Sequence, residues 1–338
     1  MGVIKIFVNK IKEIDKKRLN TLAERIAKEN NKSVSYVKFD MFKNFLRYGI
    51  GYTDYLKSDY INLTKEEKKT HVTTKSFYKI LSYLNDKNYR EVMNNKILFN
   101  KVFKDYIKRD FIDLRVCSKE DFIKFCEGKE IVFSKRVRDF GGHGVSKIVL
   151  KDKDLEKLYE EINERKEFLV EEAIVQHEVL NKINPYAVNS FRVVTLVKDG
   201  KAHILGNALR INTDDAVAIG CEDAYMRLDE EGKICSRVLD DYANVYESHP
   251  MIKVPFKDLK IPYVKEAFEM CLKAALEVPE VRYVGWDVAI TENGPIMMEG
   301  NEWPSYGLIQ FNKFNDEKIG HRKQIEDILK DEFKNIKL

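Results

Sequence analysis

The sequence predicts an α+β fold, with helices first and then a body of β-hairpins and packed helices. Three observations carry this. The first quarter repeats apolar residues at helical spacing, the middle alternates β-prone runs with helical ones, and Val284 to Asn301 reads as a hairpin about Glu292-Asn293-Gly294. At 338 residues with 44% hydrophobic content, the chain can bury a sizeable core in two or three domains. Its 59 Lys and Arg are nearly balanced by 55 Asp and Glu along the chain, which gives no basis for nucleic-acid binding. The five cysteines form no Cys-x-x-Cys pair and read as reduced structural thiols. No apolar run approaches the roughly 18 residues of a membrane span, and Val3 to Val8 is too short for a signal peptide, so a cytoplasmic protein is expected.

From the N-terminus, Ile11, Ile14, Leu19, Leu22 and Ile26 recur at near-helical spacing, and Ser33 to Tyr48 repeats the pattern before Gly49. The lysines here read as a solvated face over a helical layer rather than as a membrane-surface helix. A helix is expected from Met93 to Ile107. Strand Phe111 to Cys117, helix Ser118 to Glu127 and strand Glu130 to Val137 follow, and Ser118 with Asp121 forms an N-cap with an acidic first turn. Arg138 to Gly144 is Gly-rich but lies between two strands and lacks a Gly-Lys-Ser/Thr ending, which argues against a Walker loop or a dinucleotide fingerprint. Such a loop can fold over phosphates with Lys135 supplying a point charge. Strand Val145 to Leu150, a helix to Arg165 and strand Glu167 to Ile174 come next. The last ends in acids, with Glu178 seven residues after Glu171. Phe191 to Val197 and Ala202 to Ile211 form a second hairpin, with Arg192 and Arg210 near its open end as forked cations for a phosphoryl or carboxylate group. Strands from Asp214 to Asp241, a helix from Pro262 to Val278 and a final helix from about Asp316 to Phe333 complete the chain.

The hairpin's register can be argued. A two-residue turn at Asn293-Gly294 pairs Val288 with Glu299 and sets a carboxylate among Val288, Ile290 and Met297. A three-residue loop with Gly294 left-handed pairs Val288 with Met298, Ile290 with Ile296 and Asp287 with Glu299. The second register is expected, because it makes one face apolar and gathers Asp287, Glu299 and Asn301 on the other. Three oxygen donors on a rigid face suit Mg²⁺, which takes one or two carboxylates along with waters and phosphates.

Taken in order, these segments resemble the ATP-grasp enzymes from about Lys96 to Leu308. The resemblance implies the ATP-grasp fold, with a small lid, a larger antiparallel domain and ATP between them. It also implies that Lys96, Lys135 and the loop Gly141, Gly142 and Gly144 hold ATP phosphates. Glu171, Glu172, Ala173 and Ile174 would form the adenine hinge, Glu178 would bind the ribose, and Asp287, Glu299 and Asn301 would hold Mg²⁺. Within the family, His249-Pro250, Ile261-Pro262, Gly285 to Thr291 and Met298 to Glu302 look most like the sugar-transfer-associated branch found with cell-surface polysaccharide genes. Ile211 to Arg227 lacks the Gly-Gly pair associated with that branch.

The expected organisation is a helical region over 1–92, a lid subdomain over 93–175 and a metal-bearing subdomain over 176–338. The expected activity is a carboxylate-amine ligase that forms an amide through an acyl phosphate on a sugar acid, with Lys135, Arg192, Arg210 and His249 as catalytic candidates and His143 as a further acid-base candidate. Tyr225, Tyr242, Tyr246, Trp303 and Tyr306 offer flat faces to a sugar ring. A kinase acting on a sugar hydroxyl and a nucleotide-binding module without turnover are the alternatives. The complete metal set speaks against the module.

Overall fold

The computed structural model describes residues 15–139, 144–213, 223–315 and 317–338. Ile11 and Ile14 lie outside the described residues, and the elements that follow them are helical, as their spacing predicts. Helix α1 (Lys16–Glu29) is capped by the Asp15 carboxylate, and α2 (Val34–Tyr48) by the Ser33 hydroxyl. Gly49 ends α2 in the left-handed region at φ 74°, where an added Cβ would meet Lys75 Cβ at 2.4 Å. Helices α3 (Tyr52–Lys57), α4 (Lys65–Lys69) and α5 (Thr74–Leu84) follow. Leu22, Ile26, Val37, Met41, Tyr55 and Tyr60 give this layer a core of its own.

The helix expected from Met93 to Ile107 is three: α6 (Glu91–Asn94), α7 (Lys96–Val102) and α8 (Lys104–Ile107). Asn95 leaves helical geometry at ψ 102°, and its side chain accepts the Leu98 N–H to cap α7. Lys96 therefore stands at the first position of a new helix.

A four-stranded antiparallel sheet comes next, with order β1-β4-β2-β3: β1 (Phe111–Asp113), β2 (Ile131–Lys135), β3 (Val145–Val149) and β4 (Leu169–Glu172). Helices α9 (Lys119–Cys126) and α10 (Leu155–Glu164) close its core through Phe122, Leu158 and Ile162. The strand expected to reach Cys117 stops at Asp113, whose carboxylate accepts the Arg115 backbone N–H and guanidinium and turns the chain.

After the short helix α11 (Glu178–Ile183), the larger sheet has order β11-β10-β5-β6-β7-β8-β9. Its strands are β5 (Ser190–Lys198), β6 (Lys201–Ile211), β7 (Ala224–Met226), β8 (Val238–Leu239), β9 (Val245–Tyr246), β10 (Tyr283–Thr291) and β11 (Gly294–Asn301). Helix α12 (Val264–Ala274) covers one face over Phe191, Val193, Leu209, Trp286, Val288 and Met297. It begins two residues after Pro262 because Tyr263 is left-handed at φ 58°. On the opposite face α5 and α13 (His321–Leu329) cover Val194, Leu196 and Leu205. The expected last helix is thus shorter at both ends, and Lys330 ends it at φ 53° before a 3₁₀ stretch, Lys330–Asn335.

The β10–β11 register corrects part of the expectation. Asp287 pairs with Glu299 and Gly285 with Asn301, but Val288 pairs with Met297, Ala289 with Ile296 and Ile290 with Pro295. A tight turn at Glu292-Asn293 closes between Thr291 and Gly294, and a β-bulge after Asp287 leaves Met298 over. The bulge lets a two-residue turn coexist with the Asp287–Glu299 pairing, two features treated as exclusive when register is assumed constant.

Candidate active site

Strand pairing assembles one end of the site. Asp287 and Arg192 are register partners on β10 and β5, and Glu299 is the partner of Asp287 on β11. The Arg192 fork donates to Asp287 through Nε at 2.6 Å and Nη2 at 2.8 Å, and both side chains are buried. Ser190, two residues before Arg192 on the same face, donates its hydroxyl to Asp287 Oδ1 at 3.1 Å. Asn301 Nδ2 approaches Asp287 Oδ2 at 3.2 Å and Glu299 Oε1 at 3.4 Å. The sequence-predicted trio is therefore together, though Arg192 grips Asp287 rather than standing open as a clamp. Burial works to raise the Asp287 pKa, and the Arg192 charge and hydrogen bonds outweigh it and hold the carboxyl below its ordinary range. Arg192 responds in mirror image: burial opposes its charge and Asp287 restores it, so its pKa is raised.

Two lysines face this end from other elements. Lys96 on α7 reaches Glu299 Oε2 at 3.3 Å, and Lys135 at the end of β2 pairs with Glu171. Lys96, Asn100, Lys135, Glu171, Met298 and Glu299 line one cleft. The Lys96 backbone N–H also donates to Val137 O at 3.0 Å, tying α7 to the start of the Gly-rich turn. Gly144 lies at φ 66°, and its carbonyl accepts the Arg136 N–H at 2.9 Å to close the β2–β3 hairpin. Gly141, Gly142 and His143 lie outside the described residues.

At the expected hinge, the Glu171 side chain has a structural role. This carboxylate is turned into the protein, where it meets Arg109 Nη2 at 2.7 Å, Asn100 Nδ2 at 2.6 Å and Lys135. Burial works against its charge, yet Arg109 and Lys135 hold its pKa well below the ordinary carboxylate range. The Glu171 carboxylate therefore anchors Lys135. Ala173 and Ile174 follow the last ladder residue, Glu172. Glu178 opens α11 at the surface, where it pairs with Lys182.

Arg210 on β6 is the register partner of Ser190, its charge helps hold Asp287 ionised, and it binds Asp223 Oδ2 at 2.7 Å. The other expected participants have partners of their own. His249 is a correction: fully buried, it donates from Nε2 to Asn212 O at 2.8 Å while Nδ1 accepts the N–H groups of Met251 and Ile252 at 3.2 and 3.1 Å. Both ring nitrogens are occupied, so it pins a turn and has no free nitrogen for proton transfer. Tyr225 is buried with the Lys57 ammonium over its ring, and the Tyr306 hydroxyl donates to Asp54 Oδ2 at 2.7 Å. The Tyr246 hydroxyl is held by Asp240, and Arg18 lies over the Tyr242 ring. Trp303, tilted against Tyr78 with ring centroids 4.9 Å apart, is partly exposed.

Three participants carried no sequence signal that was read. Arg109 bridges the two sheets, donating to Met297 O at 2.6 Å and Met298 O at 3.3 Å at the bulge and to Glu171 in the small sheet. Asn100, on α7, completes the Glu171 cluster. Ser190 could have been found, since it sits two residues from Arg192 on a strand.

The family model described as sugar-transfer associated ATP-grasp matches residues 121–327. Among solved structures, the chain is similar to D-alanyl-alanine synthetase A from Vibrio cholerae O1 biovar eltor, with 13% identity and a TM-score of 0.44 over 70% of this chain and 64% of that one. It is also similar to D-alanine–D-alanine ligase from Bacillus anthracis complexed with ATP, with 13% identity and a TM-score of 0.43 over 73% and 68%. For an L-amino acid ligase from Bacillus licheniformis the identity is 12% and the TM-score 0.38, over 63% and 41%. The chain thus spans less than two thirds of the first and third of these proteins. No curated protein matches it in sequence.

Proposed function

We propose, since the chain belongs to the sugar-transfer associated ATP-grasp family, that it is an ATP- and Mg²⁺-dependent carboxylate-amine ligase acting on a sugar acid in cell-surface polysaccharide synthesis. The observation that carries the reading is that Lys96, Lys135 and Glu299 line one cleft, with Lys96 on Glu299 and with Asn301 hydrogen-bonded to both Glu299 and Asp287. The donor set fits the metal: two carboxylates and an amide supply hard oxygen ligands. In the hydrogen-bonded arrangement each Asp287 oxygen accepts two donors, and Asn301 supplies one of them. Turning the Asn301 amide over replaces that N–H with an acceptor oxygen and releases a lone pair on Asp287 and another on Glu299. When bound there, Mg²⁺ would neutralise phosphate oxygens.

The chain's own groups do the positioning. Lys96 and Lys135 place compact charges against the triphosphate. Arg192 keeps Asp287 ionised and its carboxylate plane fixed. In the reaction, a substrate carboxylate oxygen forms a bond to the γ-phosphorus as the bond to the β-phosphate oxygen breaks, releasing ADP. An amine nitrogen then attacks the acyl carbon, phosphate leaves, and the amine's proton passes to solvent. Phosphoryl transfer depends on alignment and charge neutralisation, so no protein nucleophile is required. The test offers ATP, Mg²⁺ and uronic acids paired with amines, following ADP, phosphate and product mass. ADP release that needs both acid and amine, with an amide product, supports the proposal. A phosphorylated sugar formed without amine replaces it with a kinase, and AMP with pyrophosphate replaces the acyl phosphate with an adenylate.

A further inference from the structure

Helix α2 is apolar on two sides. Its inward side, Val37, Met41 and Asn44, packs into the N-terminal layer. Its outward side carries Tyr36, Phe39, Phe42 and Leu46, which are 50, 66, 58 and 57% exposed. Spacings of three, three and four residues align these four along one stripe of the helix. Isolated exposed apolar residues are ordinary, but four large ones in register on one surface helix mark an interaction face.

The charges around the stripe select the partner. Lys32, Lys38, Lys43 and Arg47 lie on the exposed side of the same segment, and the Lys32 ammonium sits 5.7 Å from the Tyr36 ring centroid. The acid of this helix, Asp40, is turned toward the layer, where it accepts from Asn44 Nδ2 and the Tyr55 hydroxyl. Lys68 on α4 belongs to the same field: burial pushes its amine down, Asp40 opposes, and the charges of Lys43 and Arg47 add to the fall. A second copy of the chain would bring one cationic rim against another. The chain's first residues repeat the charge, with Lys5, Lys10 and Lys12 against Glu13. A surface that is anionic at its rim and apolar beneath matches both features at once.

We propose that α2 docks the protein peripherally on an anionic phospholipid surface, with Tyr36, Phe39, Phe42 and Leu46 at the boundary between headgroups and acyl chains and Lys32, Lys38, Lys43 and Arg47 against lipid phosphates. The stripe reverses the reading of these lysines as a plain solvated face: the periodicity that buried Val37 and Met41 did not reveal that the other side was also apolar. The inference is independent of the catalytic reading.

The experiment sediments the full-length protein with vesicles of phosphatidylcholine alone and of phosphatidylcholine mixed with phosphatidylglycerol, at low and high salt. The protein should co-sediment with the anionic vesicles, and less so as salt rises. F39S/F42S should lower vesicle affinity roughly tenfold or more, and K38Q/K43Q should lower it at low salt and weaken its salt dependence. The second pair keeps the test decisive if circular dichroism shows that the first does not fold. Failure of the wild type to bind anionic vesicles overturns the proposal, as does binding unchanged by both pairs. Self-association that depends on Phe39 and Phe42 without vesicle binding assigns the face to a second copy instead.

Discussion

Asp287 and Glu171 are both buried carboxylates held ionised by neighbouring cations, yet they are built in opposite ways. Asp287 meets one arginine from the neighbouring strand, and both residues are fixed by the ladder of a single sheet. Glu171 gathers Arg109, Lys135 and Asn100 from three different elements, and Arg109 continues to the bulge of the other sheet. The first arrangement holds its geometry through backbone hydrogen bonds. The second holds it only while the two sheets stay together, so it links the position of Lys135 to how the small sheet seats against β11. Lys135, at 22% exposure, is also the less confined of the two cations paired with Glu171. One carboxylate thus builds a rigid face, and the other joins the cleft's two halves.

The largest expected effect comes from removing the carboxylates themselves. Glu171→Ala and Asp287→Ala should each cost about 3–5 kcal/mol of unfolding free energy in urea titrations, because each leaves buried positive charge unpaired. The loss should be greater at Glu171, where two cations are left. A milder effect at Glu171 than at Asp287 would break the comparison.

Next in size is the separation of turnover from stability. Glu299 is half exposed to the cleft, so Glu299→Gln should reduce turnover roughly 100-fold. Its melting temperature should stay within about 2 °C of wild type. Lys135→Ala should lower kcat/KM for ATP by about tenfold or more while leaving Arg109 to neutralise Glu171. Normal turnover in Glu299→Gln would remove that residue from the proposed metal set.

The smallest effect is a pH dependence. The folded pKa values of Asp287 and Glu171 lie below their ordinary values of 3.8 and 4.5. Stabilisation from a depressed carboxyl pKa is complete above the unfolded value and is lost as pH falls through the folded one. Unfolding free energy should therefore decline as pH drops below about 4.5, and Glu171→Gln should flatten that decline. An unchanged slope in this variant would show that Glu171 does not contribute to it.

Much of this was legible where the governing interactions are local. The cap at Ser118, the end of α2 at Gly49 and the shared face of Asp287, Glu299 and Asn301 all follow from residues a few positions apart. The bulge at Met298 was hidden because period-two reasoning assumes an unbroken ladder. The stop at Asn95 was missed because its side-chain cap competed with an otherwise continuous apolar pattern.

The sequence by itself determined the helical first layer, the β-hairpins and the hairpin face with its three oxygen-bearing side chains, since strand alternation and helical periodicity act over a few residues. Tertiary structure alone decided which charges meet. It gave Arg192 to Asp287, turned Glu171 inward to Arg109 and Lys135, and sealed His249 against Asn212. Electrostatic partnership depends on distance in space and on burial, and neither is written in the spacing of residues separated by tens of positions along the chain.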